Sequence, residues 1–127
     1  MSVGKRSPAV RAVSRPRVRD IAWAAGFYEG EGSCCYANHS TRISAGQVNR
    51  EPLDRMAALF GGHVFRVAGG PTGYDKRYIG QGAWRWLACG ARARGILLTL
   101  YGMLSDKRRE QIRKTLDATE IKVMRPS

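Results

Sequence analysis

The chain has 127 residues, and its 22 Lys+Arg against 10 Asp+Glu give a formal net charge of +12. One domain fits this length, and the large positive charge favours a polyanionic partner, with nucleic acid as the leading candidate. No apolar run reaches the ~18 residues of a membrane-spanning helix, and the first residues lack the apolar segment of a secretory signal. The chain has three cysteines and no C-x-x-C pair, which supports neither a disulfide framework nor a zinc knuckle.

Residues 1–19 form a basic segment with six Lys or Arg, two prolines and no acid. We expect a basic arm that lies on phosphates. A transit peptide is the alternative, because the segment is rich in arginine, although its prolines disfavour the amphipathic helix of a mitochondrial import signal. The cysteine usage predicts reduced thiols in an intracellular protein. As the compartment, we expect the bacterial or phage cytoplasm, with an organelle as the alternative.

The stretch 21–32 is predicted to form a helix with one face almost without side chains, because Ala22, Gly26 and Gly30 fall four residues apart. Such a face lets a partner helix approach closely, which offsets the roughly 1 kcal/mol that each helical glycine costs. We therefore predict a helix–helix contact along this face, and we expect Asp20 to be the N-cap.

The end of this helix carries two carboxylates, Glu29 and Glu31, just before Gly32, which can end the helix. The C-terminal end of a helix dipole is negative and therefore attracts cations. The simpler alternative is a core helix with a glycine-rich end and two solvated glutamates.

Two strands at 33–38 and 41–48 are predicted to form a hairpin around a polar turn. In the second strand, polar residues alternate with apolar ones and so share one face, which suits contact with a nucleic-acid groove. The candidate DNA-contacting residues of the hairpin are Arg42, Ser44, Asn38 and His39. For His39, a solvated turn residue is the simpler alternative.

Residues 49–60 are predicted to form an amphipathic helix that Gly61 and Gly62 end. Apolar residues at positions i, i+3, i+4 and i+7 give this helix one apolar face. The face consists of Leu53, Met56, Ala57 and Phe60. We assign it to the core.

Strands are predicted at 63–67 and 81–89. In the second of these, Trp84 and Trp86 share one face, which we interpret as core rather than as a platform for stacked bases. Arg85 belongs to the opposite face. Arg85 and Arg66 are further candidates for contact with DNA.

Two helices, at 91–104 and 107–118, complete the predicted elements. The order of helix, two strands, helix, two strands and two helices predicts an α+β fold, with one antiparallel four-stranded sheet and helices on one face. The predicted organisation is a basic arm at 1–19, a single domain at 20–118 and a C-terminal tail at 119–127.

Residues 24–32, read as Ala-Ala-Gly-Phe-Tyr-Glu-Gly-Glu-Gly, resemble the signature of the LAGLIDADG homing endonucleases. They depart from it at Ala24, where leucine is usual, and at Glu29, where aspartate is usual. The agreement is strongest at Ala25, Gly26, Glu31 and Gly32.

The resemblance covers about residues 20–116, because the order of elements is that of one LAGLIDADG half. Gln47-Val48 at the end of a strand and Trp84-Arg85-Trp86 in the last strand are similar to family landmarks. So is the spacing of Leu100, Leu104, Lys107 and Gln111, although Gly102 stands where proline is common.

This resemblance implies the LAGLIDADG homing endonuclease-like fold (αββαββα) and an intron-encoded, site-specific endonuclease of double-stranded DNA. Family members with a single motif act as homodimers, so one motif implies a homodimer and a pseudo-palindromic target. The implied dimer interface is the stripe of Ala22, Gly26 and Gly30.

The catalytic residues implied by the resemblance are Glu31, Gln47 and Lys107. Glu31 would be a metal ligand together with Gly30, Gln47 would order a water, and Lys107 would stabilise charge on the phosphate. Mg²⁺ is the expected ion, Mn²⁺ would substitute for it, and Ca²⁺ would bind without supporting cleavage. Glu29 would be a structural residue at the helix end.

Two alternatives stay open. The first is a non-cleaving module of the same fold that binds DNA as a regulator or RNA as an intron maturase. It needs the basic surface but not the combination of Glu31, Gln47 and Lys107. The second is an unrelated small basic RNA-binding protein, which leaves the small-residue stripe unexplained.

Overall fold

The computed structural model describes residues 15–67 and 82–124, of which residues 120–124 are described by their backbone alone. Most of the predicted basic arm and the end of the predicted tail lie outside these residues. The described elements are α1 (Val18–Glu31), β1 (Gly32–Ala37), β2 (Ser40–Gln47), α2 (Glu51–Phe60), β3 (His63–Val67), β4 (Ala83–Cys89), α3 (Gly90–Tyr101) and α4 (Asp106–Met124). In this part of the chain, the prediction of an α+β fold is confirmed.

One four-stranded sheet connects these elements, in the strand order β1-β2-β4-β3. All its pairings are antiparallel, as predicted. The two central strands are therefore β2 and β4, which are distant in sequence and lie side by side. Side chains that alternate to the same face of these two strands are consequently brought together.

The helices cover one face of the sheet. Ile43 pairs with Ala88, and Ala45 pairs with Trp86. All four residues are buried and belong to one apolar cluster with side chains from every described helix. The Trp86 indole is fully buried and its Nε1 donates to the Gly61 carbonyl at 2.8 Å, so the interpretation of Trp86 as core is confirmed.

The β1–β2 hairpin turns through Asn38 and His39, whose φ angles are 51° and 64°. Two consecutive left-handed residues are typical of a type I′ turn, which matches the twist of the flanking strands. The register of the hairpin follows from this turn, with Ala37 opposite Ser40. This places Asn38 and His39 at one tip of the sheet, where both side chains are exposed.

Several helix boundaries differ from the predictions, and α3 ends at Tyr101 rather than at residue 104. Helix α1 begins at Val18 with Arg17 as N-cap, so the expectation that Asp20 caps it is wrong. Asp20 lies instead in the first turn, with a carboxylate oxygen 3.7 Å from the guanidinium of Arg55 on α2. Helix α4 continues to Met124, beyond the predicted end at residue 118.

Polar contacts attach α4 to the sheet. The hydroxyls of Thr41 and Thr119 lie 2.7 Å apart and are buried, and the Cys34 thiol lies 3.3 Å from the Thr115 hydroxyl. Cys34 and Thr41 lie on the adjacent strands β1 and β2, and Thr115 and Thr119 lie on successive turns of α4. The contact of Thr119 lies beyond the predicted end of the helix. Among the described helices, none is both long and apolar enough to cross a membrane.

Candidate functional site

The face of the sheet that the helices leave uncovered carries the polar candidates. Strand register arranges its side chains in rows that cross the strands. One row consists of Cys35, Arg42 and Cys89, a second of Ser33, Ser44 and Leu87, and a third of Gly46, Arg85 and Phe65. The Ser33 and Ser44 hydroxyls lie 3.2 Å apart, as expected for neighbours on one face. We call this surface the open face.

A depression of about 540 Å³ lies on the open face, and three arginines line it: Arg42, Arg66 and Arg85. The Nε of Arg42 is buried and, within the described part of the chain, has no hydrogen-bond partner. The Arg42 guanidinium also places a positive charge at the depression, which is suited to an anionic partner. The structure thus brings together four predicted DNA-contacting residues, Arg42, Ser44, Arg66 and Arg85.

Arg66 lines the depression from the edge strand, whereas the other three belong to β2 and β4. It pairs in register with Trp84, which alternates to the helix-covered side of the sheet, at the edge strand β3. Its guanidinium carbon lies 5.6 Å from the Trp84 ring centroid, and that of Arg50 lies 4.5 Å from the same centroid. Trp84 is half-buried and contacts cations at the sheet edge, whereas Trp86 is part of the core.

The three predicted catalytic residues lie where elements begin or end. Glu31 is the last residue of α1, Gln47 is the last residue of β2, and Lys107 is the second residue of α4. Gly32, which follows Glu31, pairs with Ala45, so Gln47 lies at the same end of the sheet as Glu31. The Gln47 Oε1 accepts a hydrogen bond from the backbone N–H of Val48 at 3.1 Å.

Arg108 brings the start of α4 to this same end. Its Nε donates to the Glu29 carbonyl at 3.0 Å, and its NH1 donates to the Gly32 carbonyl at 2.8 Å. The two carbonyls lie on either side of Glu31 in sequence. Lys107, which precedes Arg108, is therefore held beside the end of α1.

Glu29 caps α4 across a separation of 76 residues. Its carboxylate accepts hydrogen bonds from the Ser105 N–H at 2.8 Å and from the Ser105 hydroxyl at 2.7 Å. The two bonds from Ser105 lower the pKa of Glu29 from its ordinary value, and the nearby charges of Arg108 and Lys107 lower the pKa further. The carboxylate is thus occupied by a structural contact, which agrees with the structural role expected of it.

Steric crowding explains why the last residue of the motif, Gly32, is a glycine. A Cβ at Gly32 would overlap the ring of Tyr28, which is fully buried beneath it. Burial also raises the pKa of Tyr28 well above its usual range, so its hydroxyl stays protonated. Gly32 therefore serves the fold of the single chain, and it starts β1 directly next to Glu31.

Steric crowding does not explain the other two glycines of the motif, Gly26 and Gly30. Ala22, Gly26 and Gly30 are all exposed along α1. A Cβ at Gly26 or at Gly30 would meet no atom within 4 Å. Nothing in the described part of the single chain requires glycine at these two helical positions, although each costs helix stability.

Arg108 and Ser105 are the functional residues that sequence reasoning missed. Their contacts with the end of α1 join parts of the chain that are distant in sequence, and a local sequence pattern cannot predict such contacts. A weak signal existed, because Ser105 precedes Asp106 at a break between two helices and such a serine commonly caps the second helix. Its hydroxyl does accept a hydrogen bond from the Arg108 N–H at 3.3 Å.

Comparison with known proteins adds no name to this geometry. No family model matches the sequence, and no curated protein matches it significantly.

Proposed function

We propose that this chain is a site-specific endonuclease of double-stranded DNA of the LAGLIDADG type, which acts as a homodimer on a pseudo-palindromic target. The observation that carries the proposal is the exposed small-residue face of α1, which leads directly to the carboxylate of Glu31. The glycines of this face are unexplained by the single chain, and a second copy of α1 would explain them.

A pair of such helices would meet with their backbones close together, because neither side presents a side chain larger than a methyl group at Ala22, Gly26 or Gly30. Two-fold symmetry would then bring the two Glu31 residues near the axis. Carboxylates placed close together repel each other unless cations lie between them. The proposed dimer therefore needs a divalent ion in order to be stable at its centre.

In the proposed dimer, the two copies of Glu31 would supply donors for such an ion. Among the described residues, no group of three His, Cys, Asp or Glu side chains is arranged to hold a metal. Glu31 supplies one carboxylate, and the negative end of the α1 dipole, including the Gly30 carbonyl, adds oxygen donors of the kind that Mg²⁺ prefers. When bound, Mg²⁺ would supply charge neutralisation at the phosphate and a more acidic water.

The chain's own residues would do the rest. Gln47, at the end of β2, would orient the attacking water through its amide. Lys107 would place its ammonium group against the developing charge of the scissile phosphate. Arg108 would hold Lys107 in place through its bonds to the end of α1.

The open face would lie on the DNA. Its width of four strands, about 14 Å at a strand spacing of about 4.8 Å, is comparable with the major groove, about 12 Å wide. Arg42 and Arg85 would reach base edges or phosphates. Ser44, whose side chain is shorter, would donate a hydrogen bond to a group closer to the sheet. Asn38 and His39 extend the same surface at the hairpin tip.

A library experiment tests this function. The purified chain is incubated with Mg²⁺ and a pool of randomised double-stranded DNA, and both the cut ends and the bound, uncut duplexes are recovered and sequenced. A parallel pool of randomised RNA is bound under the same conditions. We expect breaks centred on a pseudo-palindrome. A sequence that is bound but never cut would favour the non-cleaving regulator instead, and tighter selection from the RNA pool would favour the maturase.

A further inference from the structure

The row of Cys35, Arg42 and Cys89 is a feature of the open face that the endonuclease mechanism does not use. Cys35 pairs with Arg42, and Arg42 pairs with Cys89, so one arginine lies between two thiols on three adjacent strands. Both thiols are free and exposed. Side chains directly opposite on neighbouring strands have Cβ atoms about 5 Å apart, which brings each thiol within reach of the arginine.

The two thiols cannot pair with each other. They lie two strands apart, or roughly 10 Å, whereas a disulfide needs Cα atoms within about 7 Å. Each is therefore available to a partner from solution. Cys34 is different, because it points to the other side of the sheet, where its sulfur lies 3.3 Å from the Thr115 hydroxyl and 3.8 Å from the Gln111 carbonyl.

We propose that Cys35 and Cys89 form a thiol–disulfide exchange site for anionic low-molecular-mass disulfides, and that occupation of this site blocks binding of DNA. Blocking of DNA rests on the proposed function, whereas the exchange site itself does not. The cationic Arg42 lines the same depression as Cys35, so it attracts an anionic reagent to the thiol.

The exchange step is balanced without any further reactant. The thiol loses its proton to water, and the sulfur attacks one sulfur of the disulfide. The old S–S bond breaks, a mixed disulfide forms on the protein, and one thiolate leaves. The protein sulfur is oxidised as the leaving sulfur is reduced. The attached anionic group then lies against Arg42 and occupies the place of a phosphate or base.

The test uses dithiobis(nitrobenzoate), an aromatic disulfide with two carboxylates, whose leaving thiolate is coloured. We expect two of the three thiols of the full-length chain to react rapidly and the third slowly, and we expect bound DNA to protect the rapid pair. Modification of both rapid thiols should weaken DNA binding by about tenfold or more, which is the effect of losing one arginine contact. Dithiothreitol should restore binding.

Matched variants assign the effect. Cys35→Ser/Cys89→Ser should bind DNA and be insensitive to the reagent, whereas Cys34→Ser should remain sensitive. Rapid reaction of Cys34 alone, or modified protein that binds DNA as tightly as unmodified protein, would overturn the proposal while leaving the endonuclease intact. Unmodified protein that binds no DNA would overturn the proposed function and the blocking effect with it. The number of rapidly reacting thiols would still test the exchange site, because that measurement does not require DNA.

Discussion

At the scale of single residues, two glutamates only two positions apart acquire different environments. Glu29 accepts two hydrogen bonds from Ser105 at the start of α4, while Glu31 ends α1 where the sheet begins. Helical geometry separates the two by about 200° around the axis, since each residue advances by about 100°. That separation is why one side chain can cap a neighbouring helix while the other is directed elsewhere.

Replacement of Glu29 by Gln should lower the stability of the chain in a pH-dependent way. The pKa of Glu29 is lowered by Ser105, so the ionised carboxylate stabilises the folded state above the unfolded pKa of about 4.3 and ceases to do so as pH falls through the lower folded value. The difference in thermal midpoint between the two proteins should be largest near neutral pH and should shrink in acid.

Asp117→Asn is the matched control, since it removes an exposed carboxylate from α4, the helix whose first turn Glu29 contacts. A stability difference for Glu29→Gln that is constant from neutral pH to strong acid would contradict the assigned cap. Cleavage by Glu29→Gln should persist at temperatures where the variant remains folded.

Arg108 should act as a positioning residue. Its side chain is only 17% exposed and donates to the Glu29 and Gly32 carbonyls, which a lysine cannot bridge with a single ammonium group in the same planar geometry. Arg108→Lys should cost on the order of 2 kcal/mol in the free energy of unfolding, because buried acceptors lose their donor. It should also slow cleavage without weakening DNA binding, as Lys107 is displaced.

Denaturant unfolding, a binding titration and a single-turnover cleavage assay on one target separate these effects. The control is Lys114→Gln, which removes an exposed cation from α4. Equal losses of DNA binding and cleavage would assign Arg108 to phosphate contact instead.

At the scale of secondary-structure elements, α1 contains exposed glycines that lower the stability of the helix without any contact in the single chain that requires them. A Cβ at Gly26 has open space around it, so Gly26→Ala should stabilise the isolated subunit by roughly 0.5–1 kcal/mol. The same methyl group should hold two α1 helices apart and weaken the dimer. Stability and assembly should therefore change in opposite directions.

Gly95→Ala is the control, because Gly95 is also an exposed helical glycine with open space, on α3. Sedimentation at several protein concentrations, together with unfolding at high dilution, measures both quantities. A Gly26→Ala chain that self-associates as tightly as the unmutated chain would contradict a dimer contact through this face.

Sequence patterns predicted most elements because each has a strong local signal. The i, i+3, i+4 pattern of α2 and the alternation in β4 both correspond to buried faces in the structure. Boundaries set by distant contacts were not predictable in this way. Helix α4 continues past residue 118 where Thr119 meets Thr41, and Asp20 lies inside α1 rather than capping it.

At the scale of the whole molecule, the open face could be predicted only in part. The sequence indicated that Arg42 and Ser44 share a face and that Arg85 faces away from the tryptophans, and the register agrees. It contained no indication that β2 and β4 are neighbours, since their pairing joins residues more than 35 positions apart along the chain. The row of Cys35, Arg42 and Cys89 and the position of Arg66 both depend on that long-range pairing.

The net charge of +12 should make DNA binding depend strongly on salt. If each dimer neutralises on the order of 10 phosphates, the slope of log K against log[salt] should be roughly −9. Removal of residues 1–14 should make this slope shallower without changing the preferred sequence, because a basic arm would contact phosphates rather than bases.

Fluorescence anisotropy titrations between low and moderate salt give the slope for both forms. A slope near zero for the full chain would mean that its charge serves some purpose other than binding DNA. A truncated chain that prefers a different sequence would assign base contacts to the arm.

Comparison of Glu31→Gln with the unmutated chain tests the central claim most directly. Both proteins are given one DNA target recovered from the library, and nicking and binding are measured with Mg²⁺ and again with Ca²⁺. Glutamine keeps the size of the side chain and one ligand oxygen but cannot neutralise a divalent cation. We expect cleavage to be abolished in Glu31→Gln, with DNA binding retained or tightened, whereas Glu29→Gln still cuts. Cleavage by Glu31→Gln at the unmutated rate would contradict the proposed mechanism.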